Sequence, residues 1–132
     1  MNDFVNNSDI ILNHLSSFPL INTVNLEKLK KSTTNNPEYL IDIFKSFVED
    51  SSELIEEMEK GCSEQHYDNY YNAVHSLKGL AGTIGFSRMF QLLKIMDAHN
   101  KEEMFDKSSS FIPPLKEMFS EVVSYLKSEF NV

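Results

Sequence analysis

The chain has 132 residues, 41% of them hydrophobic, which is enough for one folded domain with a single core. Its formal net charge of −8 argues against binding to nucleic acids or to an anionic membrane surface, so the expected partner is a protein. The chain has a single cysteine, Cys62, and it has neither an apolar run of about 18 residues nor a secretory signal at the N-terminus. These features together predict a cytoplasmic protein.

The first residues differ in composition from the rest of the chain. Residues 1–18 are rich in asparagine and then carry a short apolar cluster, so we expect an N-terminal extension that is either a short helix or a loose tail. Residues 19–132 are expected to form one helical domain. Its first element is a short helix over residues 24–31, with Asn25 as the N-terminal cap.

Four longer helices follow, and each is indicated by apolar residues that recur at spacings of three and four. Three of them are predicted over residues 37–61, 63–85 and 87–100, and the last begins at Pro113-Pro114 after a polar break over 101–110. The expected N-caps are Asn36, Ser63 and Ser87, and the expected helix ends are Gly61 and Gly85. Short connections predict an all-α fold, an antiparallel up-down-up-down four-helix bundle with an additional short N-terminal helix or helices.

The outer face of the helix over 37–61 is acidic. Its carboxylates are Glu49, Asp50, Glu53, Glu56, Glu57 and Glu59. A pair of them is conceivable as a catalytic acid and base, but an acidic face opposite an apolar stripe is typical of a solvated surface. We therefore interpret this face as exposed and solvated.

His75 lies on the polar side of the helix predicted over 63–85. At about 100° per residue, the apolar residues of this helix fall on one broad arc, and His75 and Asn72 lie on the opposite side. Gly79 and Gly82 share that side, although a glycine costs a helix roughly 1 kcal/mol relative to alanine. A surface without side chains beside a titratable ring lets the backbone of another molecule come close. The alternative is that the helix ends near Gly79 and the glycines form a turn.

Asp97 is predicted to lie level with His75. The helices over 63–85 and 87–100 form an antiparallel hairpin about residue 86, and equal rise on both sides pairs position 75 with position 97. A neutral imidazole has one nitrogen free to attack and one that carries a proton. An acceptor on the protonated nitrogen would fix the tautomer and orient the ring. Asp97 is therefore a candidate ring-orienting acceptor, and the alternative is an ordinary exposed carboxylate.

The string HSLKG at residues 75–79, with Gly85 six residues after Gly79, resembles the signature of histidine-containing phosphotransfer (HPt) domains. These are the helical relay modules of two-component signalling, and the resemblance covers roughly residue 19 to the C-terminus. It implies that His75 accepts a phosphoryl group on Nε2, the ring nitrogen farther from the backbone. It also implies a phosphocarrier without kinase or phosphatase activity of its own.

Two further residues acquire roles through this resemblance. HPt domains usually carry glutamate or glutamine at the place of Asp97, and the shorter aspartate leaves open whether it reaches His75 at all, or only through a water. Lys78 lies one turn after His75 on the same side, where a cation would offset the charge of a phosphoryl group. The alternative for Lys78 is a solvated lysine.

The resemblance also implies the partners. These are receiver domains of response regulators and a sensor or hybrid histidine kinase, and the receiver supplies the Mg²⁺ needed for transfer, so no cofactor or metal is expected on this chain. The expected docking residues are Gly79, Gly82, Asn72, Phe86, Arg88 and Gln91. We expect a monomer, because four long helices enclose their own core.

Two other function classes compete with the phosphorelay. A helical adaptor bundle would bind a protein partner without phosphorylation and would keep all function in a His75→Gln variant. A metal site is disfavoured, because no Glu-x-x-His or His-Glu-x-x-His spacing is present among the four histidines. Within the phosphorelay, the domain either shuttles phosphate between two receivers or is the substrate of a separate kinase domain. The short chain favours a freestanding shuttle over a fragment of a hybrid kinase.

Overall fold

The computed structural model describes residues 3–132, with side chains from Asp9 onward. Within this range the chain forms seven α-helices and one 3₁₀ turn, Glu102–Met104. The helices are α1 (Asp3–Leu15), α2 (Thr23–Ser32), α3 (Pro37–Glu64), α4 (Tyr67–Ile84), α5 (Ser87–Ala98), α6 (Phe105–Ser109) and α7 (Ile112–Phe130). All regular elements of the described range are helical, which confirms the predicted all-α class.

Helices α3, α4, α5 and α7 form a four-helix bundle in which each helix contacts the next and α7 closes back on α3. Two-residue connections join α3 to α4 and α4 to α5, so these neighbours run antiparallel. Phe44 near the start of α3 packs on Phe130 at the end of α7, with ring centroids 4.8 Å apart. Glu59 near the end of α3 lies 3.3 Å from Lys116 near the start of α7. The predicted antiparallel bundle is confirmed.

The apolar stripes of the four bundle helices meet in one core. Its fully enclosed side chains include Phe44, Met58, Leu77, Leu93, Leu115 and Val122. Burial of a large apolar side chain contributes roughly 1.5–3 kcal/mol, so this core fixes the helices that carry the outward-facing residues. In the described part of the chain, no helix has the length and apolar character needed to cross a bilayer.

The N-terminal segment lies against the bundle at the turn between α4 and α5. The segment predicted as a short helix or a loose tail contains α1, and Leu15 of α1 is buried in the same core. Arg88 at the start of α5 donates hydrogen bonds from Nε and Nη2 to the carbonyl oxygen of Phe18, at 3.0 and 2.9 Å. The backbone N–H of Asn22 donates to the carbonyl oxygen of Gly85. The boundary predicted between residues 18 and 19 stays a prediction.

The N-cap of α2 is Asn22, and the predicted cap Asn25 is wrong. The side-chain oxygen of Asn22 accepts hydrogen bonds from the backbone N–H groups of Val24 and Asn25, at 2.9 and 3.2 Å. Both are donors that the first turn of a helix leaves without an intrahelical partner. Asn25 instead contacts Gly85, whose missing side chain leaves room for it.

Helix α3 continues through Gly61, so the predictions that Gly61 ends this helix and that Ser63 caps the next are wrong. The helix ends at Glu64, and Gln65 caps it in a left-handed conformation with φ of 55°. Gly61 is buried, and a Cβ atom there would lie 3.1 Å from the backbone nitrogen and the Cβ of Tyr70. The glycine therefore permits close packing of α3 on α4, and α4 begins only at Tyr67.

The remaining helix ends lie at or next to their predicted positions. Gly85 ends α4 with φ of 101°, a conformation that favours glycine. Phe86, not Ser87, occupies the N-cap position of α5. Pro37 begins α3 as predicted, with Asn36 at the cap position but without a side-chain capping bond.

The segment predicted as a polar break, 101–110, contains the 3₁₀ turn and α6. Its apolar anchor is Phe105, which is buried and packs edge-on against Tyr70. Ser108 of α6 is also buried, and its hydroxyl bonds the hydroxyl of Tyr70 at 2.8 Å and the carbonyl oxygen of Met96 at 2.9 Å. Helix α6 therefore fastens the end of α5 to α4, immediately beside Asp97.

Candidate functional site

His75 projects from the middle of α4 into solvent. Its neighbours Val74 and Leu77 are fully buried, because the apolar arc of α4 faces the bundle core. The side chain of His75 is 72% exposed. The helical phase predicted this exposure, and the structure confirms it. A ring in this position is open to a reaction partner that approaches from outside the bundle.

Asp97 of α5 contacts the ring directly. Its Oδ2 atom lies 3.1 Å from Nδ1 of His75, and the Asp97 side chain is only 17% exposed. The prediction that residues 75 and 97 lie level, made from equal helical rise on both sides of the turn, is therefore confirmed. The short aspartate reaches the ring without a bridging water. An ionised carboxylate only accepts hydrogen bonds, so Nδ1 carries the proton and donates it. In the neutral ring, Nε2 then keeps its lone pair.

Lys78 shares the same carboxylate oxygen. Its Nζ donates to Oδ2 of Asp97 at 2.6 Å, so one oxygen atom holds both the ring of His75 and the ammonium group. Partial burial raises the pKa of the Asp97 carboxyl, but the hydrogen bonds and positive charge of Lys78, followed by those of His75, outweigh it. The pKa of Asp97 consequently lies below its usual range, which keeps the carboxylate ionised and accepting.

Gly79 and Gly82, predicted together as an open surface, differ in their surroundings. A Cβ atom at Gly79 would have no atom within 4 Å, so the surface beside His75 is open there. A Cβ atom at Gly82 would lie 2.9 Å from the ring of Phe90 on α5. The space beside Gly82 is therefore filled by Phe90, and this glycine lets α5 pack closely on α4, while its part in docking stays a prediction.

A family model described as Hpt domain matches residues 42–125, well over half of the chain. The chain belongs to the HPt family. The matched region contains His75, Lys78 and Asp97 together with α4 and α5, most of α3 and most of α7. Phosphotransfer within a phosphorelay is the function of HPt domains. No solved structure matches the chain significantly.

Two of the docking residues predicted for this HPt domain make contacts within the fold. Phe86 is fully buried and packs against Phe47 with ring centroids 4.7 Å apart, so the prediction that it meets a partner is wrong. The guanidinium of Arg88 is engaged by the carbonyl oxygen of Phe18 and, at 3.1 Å, by Glu121. Arg88 therefore holds the N-terminal segment, but its side chain stays 23% exposed, and its part in docking stays a prediction.

Asn72 and Gln91 stay predictions. Asn72 is exposed one turn before His75, where it borders a polar depression together with Glu57 and His66. Gln91 is half-buried on α5. Among the described side chains, from Asp9 onward, no group of three or more histidine, cysteine, aspartate or glutamate residues is arranged to hold a metal ion.

The sequence did not reveal a groove between α3 and α4 that begins at His75. The floor of this groove is apolar, and its α3 edge carries carboxylates from the face that we interpreted as solvated. Tyr39, one of the large apolar side chains that stay exposed in the described structure, lies at one end. The signal available in the sequence was the acidic row on α3, but the gap beside it depends on how far apart two helices pack.

Proposed function

We propose that this HPt domain accepts a phosphoryl group on Nε2 of His75 and passes it to, or receives it from, an aspartate of a response-regulator receiver domain. The observation that carries the proposal is the contact between Nδ1 of His75 and Oδ2 of Asp97. This contact engages Nδ1 and leaves Nε2 as the nucleophile, on a side chain that is 72% exposed. Membership of the HPt family supplies the relay context.

The proposed transfer step forms one bond and breaks one bond. The lone pair on Nε2 of His75 attacks the phosphorus of the aspartyl phosphate on the receiver. The P–O bond of that acyl phosphate breaks, and its electrons leave with the receiver's carboxylate. The ring becomes a phosphoimidazolium that keeps its Nδ1 proton, and the carboxylate of Asp97 stabilises the new positive charge. The reverse step returns the phosphoryl group to an aspartate.

Lys78 is proposed to change partners during this step. In the unphosphorylated domain its ammonium is paired with Asp97. Once the ring is phosphorylated, Asp97 faces a cationic ring, and the flexible stem of Lys78 lets the ammonium turn toward the phosphoryl oxygens. The receiver is proposed to bring the Mg²⁺ that offsets most of the transferred charge. We expect the domain to act as a cytoplasmic monomer downstream of a sensor or hybrid histidine kinase, without kinase or phosphatase activity of its own.

The test is transfer from receivers that carry phosphate. A panel of purified receiver domains is loaded with acetyl phosphate and Mg²⁺ and mixed with this protein, and phosphorylated residues are mapped by mass spectrometry under alkaline conditions. Phosphoramidate, a small phosphodonor, is used in parallel. We expect a base-stable, acid-labile phosphate on His75 that is absent from His75→Gln.

The matched control is His66→Gln. His66 is an exposed histidine at the connection between α3 and α4, and its removal is expected to leave labelling of His75 intact. Two outcomes would overturn the proposal. One is equal labelling of a folded His75→Gln variant, and the other is failure of both phosphoramidate and every receiver to label the wild type. The second outcome, combined with retained partner binding, would support the adaptor function.

A further inference from the structure

The last turn of α5 carries Asp97 and has little support of its own. Helix α5 ends at Ala98, one residue after Asp97, and the capping residue His99 is neither a glycine nor left-handed. The final carbonyl groups of a helix lack partners within it and present partial negative charge, which disfavours a carboxylate there. Residues 95–98 of this turn include no lysine or arginine that would offset the charge. Such a turn frays unless other parts of the fold hold it.

Ser108 of α6 holds one carbonyl group of this turn. Its hydroxyl is fully buried and donates to the carbonyl oxygen of Met96, the residue before Asp97, at 2.9 Å. A serine hydroxyl has one proton, and the carbonyl takes it. The hydroxyl of Tyr70 on α4 therefore donates the 2.8 Å hydrogen bond to the oxygen of Ser108. The backbone next to Asp97 is thus tied to α4 through two hydrogen bonds inside the core.

Tyr71 of α4 holds the far side of the same turn. Its hydroxyl donates to the carbonyl oxygen of His99, two residues after Asp97. Nδ1 of His99 in turn donates to the carbonyl oxygen of Ile95 at 2.8 Å, since a carbonyl can only accept. Tyr71 lies one turn before His75. Its hydrogen bond and the contact between His75 and Asp97 are therefore neighbouring links between the same two helices.

The ring of Phe105 keeps both tyrosines and α6 together. Phe105 is buried at the start of α6, and its ring packs edge-on against the rings of Tyr70 and Tyr71, with centroids 5.0 and 6.4 Å apart. This packing places the hydroxyl groups of α4 and α6 at the end of α5. The supports of the last turn of α5 thus come from the rest of the bundle.

We propose that the hydroxyl groups of Ser108 and Tyr71 are positioning groups for Asp97. They hold the last turn of α5 by carbonyl oxygens on either side of Asp97, so that its carboxylate stays on Nδ1 of His75. The inference rests on the proposed function and deepens it, since these hydroxyl groups bond the backbone of α5 rather than the reacting ring. Without them, α5 opens locally from its end, and the carboxylate leaves the ring for part of the time.

Two substitutions in the full chain release these hydrogen bonds. Ser108→Ala frees the carbonyl of Met96, and Tyr71→Phe removes only a hydroxyl from a half-buried side chain. Each is expected to slow labelling of His75 by phosphoramidate about threefold, because one hydrogen bond changes the population of the held turn by an amount of this order. Ring-nitrogen NMR shifts should show the proton of His75 moving in part from Nδ1 to Nε2, and hydrogen exchange should rise at the end of α5.

Three control variants match these substitutions in chemistry or in stability. Ser109→Ala removes a hydroxyl of α6 that bonds the carbonyl of Asp106 in the same helix. Tyr67→Phe removes a hydroxyl from another α4 ring that packs on Phe105. Leu40→Ala trims the core in the first turn of α3 and lowers the folding stability there. All three are expected to keep the wild-type labelling rate and ring shifts while the protein is folded.

A double-variant cycle separates positioning from a general loss of stability. If Ser108 acts through the carboxylate of Asp97, adding Ser108→Ala to Asp97→Asn slows labelling no further than Asp97→Asn alone. Tyr71→Phe should likewise lose its effect in that background. A merely structural role would slow labelling in both backgrounds by the same factor.

Three results would overturn the inference. These are wild-type rates and ring shifts in both Ser108→Ala and Tyr71→Phe, equal slowing by the control variants, and undiminished slowing in the Asp97→Asn background. If Ser108→Ala does not fold, Tyr71→Phe decides, because it removes a single oxygen atom from a side chain that is not fully buried.

Failure of this inference and failure of the proposed function are separate results. If wild-type His75 is labelled and both variants behave like the controls, the relay chemistry stands and the positioning role is wrong. If His75 is labelled by neither phosphoramidate nor any receiver, the proposed function is wrong. The ring-nitrogen shifts alone then decide whether the two hydroxyl groups hold Asp97 on the ring.

Discussion

Oδ2 of Asp97 lies 3.1 Å from Nδ1 of His75, across the hairpin that α4 and α5 form. The same oxygen accepts a hydrogen bond from Lys78 at 2.6 Å. The ring orientation and the position of the nearest cation therefore both depend on one carboxylate. Changing that carboxylate tests whether it positions the nucleophile or only stabilises the fold.

Asp97→Asn is expected to slow labelling of His75 by phosphoramidate about fivefold. A hydrogen bond to a charged group contributes roughly 1 kcal/mol more than one between neutral groups, which corresponds to that change in rate. The measurement is a labelling time course, together with nitrogen NMR shifts that report which ring nitrogen carries the proton.

Asp97→Glu supplies the matched control for a positioning role. It keeps the charge on a side chain that is one methylene longer, so both the rate and the protonated Nδ1 should be largely retained. A merely structural role would affect stability in both variants and leave the proton on Nδ1 in Asp97→Asn. Equal rates and equal ring shifts in wild type and Asp97→Asn would contradict a positioning role.

The low pKa of Asp97 makes stability depend on pH in a defined range. Burial raises this pKa, and the interactions with Lys78 and His75 lower it by more, so the folded value lies below the reference value of 3.8. At a pH between the folded pKa and the reference pKa of Asp97, this carboxyl binds a proton in the unfolded chain but not in the folded chain. The stabilisation by Asp97 is thus complete above the reference value and is lost as the pH falls through the folded pKa.

Acid unfolding of two variants tests this pH dependence of the folding stability. Asp97→Asn and Lys78→Met each remove one side of the interaction, so the free energy of unfolding should fall less steeply with decreasing pH below about 4 than in wild type. Denaturant titrations at several pH values measure the slope. If both variants follow the wild-type slope in that range, the interaction with Lys78 does not stabilise the folded chain.

The link between His75 and Asp97 could be predicted because it depends on helix geometry and on one turn. Gly85 was correctly identified as the end of α4, and equal rise from that point fixes which residues face each other. The start of α4 was predicted at Ser63 and is found at Tyr67. This error did not affect the pairing of residues 75 and 97, because that pairing is counted from the turn at the other end of the helix.

The docking surface could not be predicted in the same way, because it depends on tertiary packing. Phe86 follows the turn at Gly85 and points into the core, and the N-terminal segment covers the adjacent end of the bundle. No periodicity in the sequence indicates where that segment lies. The groove between α3 and α4 likewise results from the spacing of these two helices, which single-helix patterns do not contain.

The two glycines after His75 should respond oppositely to alanine. Gly79→Ala is expected to raise the free energy of unfolding by about 1 kcal/mol, because alanine favours the helix and its Cβ meets no atom within 4 Å. Gly82→Ala gains the same propensity, but its Cβ would lie 2.9 Å from the ring of Phe90, and overpacking costs about 1–3 kcal/mol. Denaturant unfolding of both variants is the measurement. Equal stabilisation by the two substitutions would show that Phe90 moves away freely.

Arg88→Ala is expected to loosen the N-terminal segment without slowing phosphorylation of His75. The change removes the two hydrogen bonds to the carbonyl oxygen of Phe18 and the contact with Glu121, so the free energy of unfolding should fall by about 1–2 kcal/mol. Hydrogen exchange should rise in α1 and α2, and Lys94→Ala, which removes an exposed cation from the same helix, should leave exchange there unchanged. If Arg88→Ala slows transfer from a receiver while exchange in α1 and α2 stays at the wild-type rate, Arg88 contacts the partner after all.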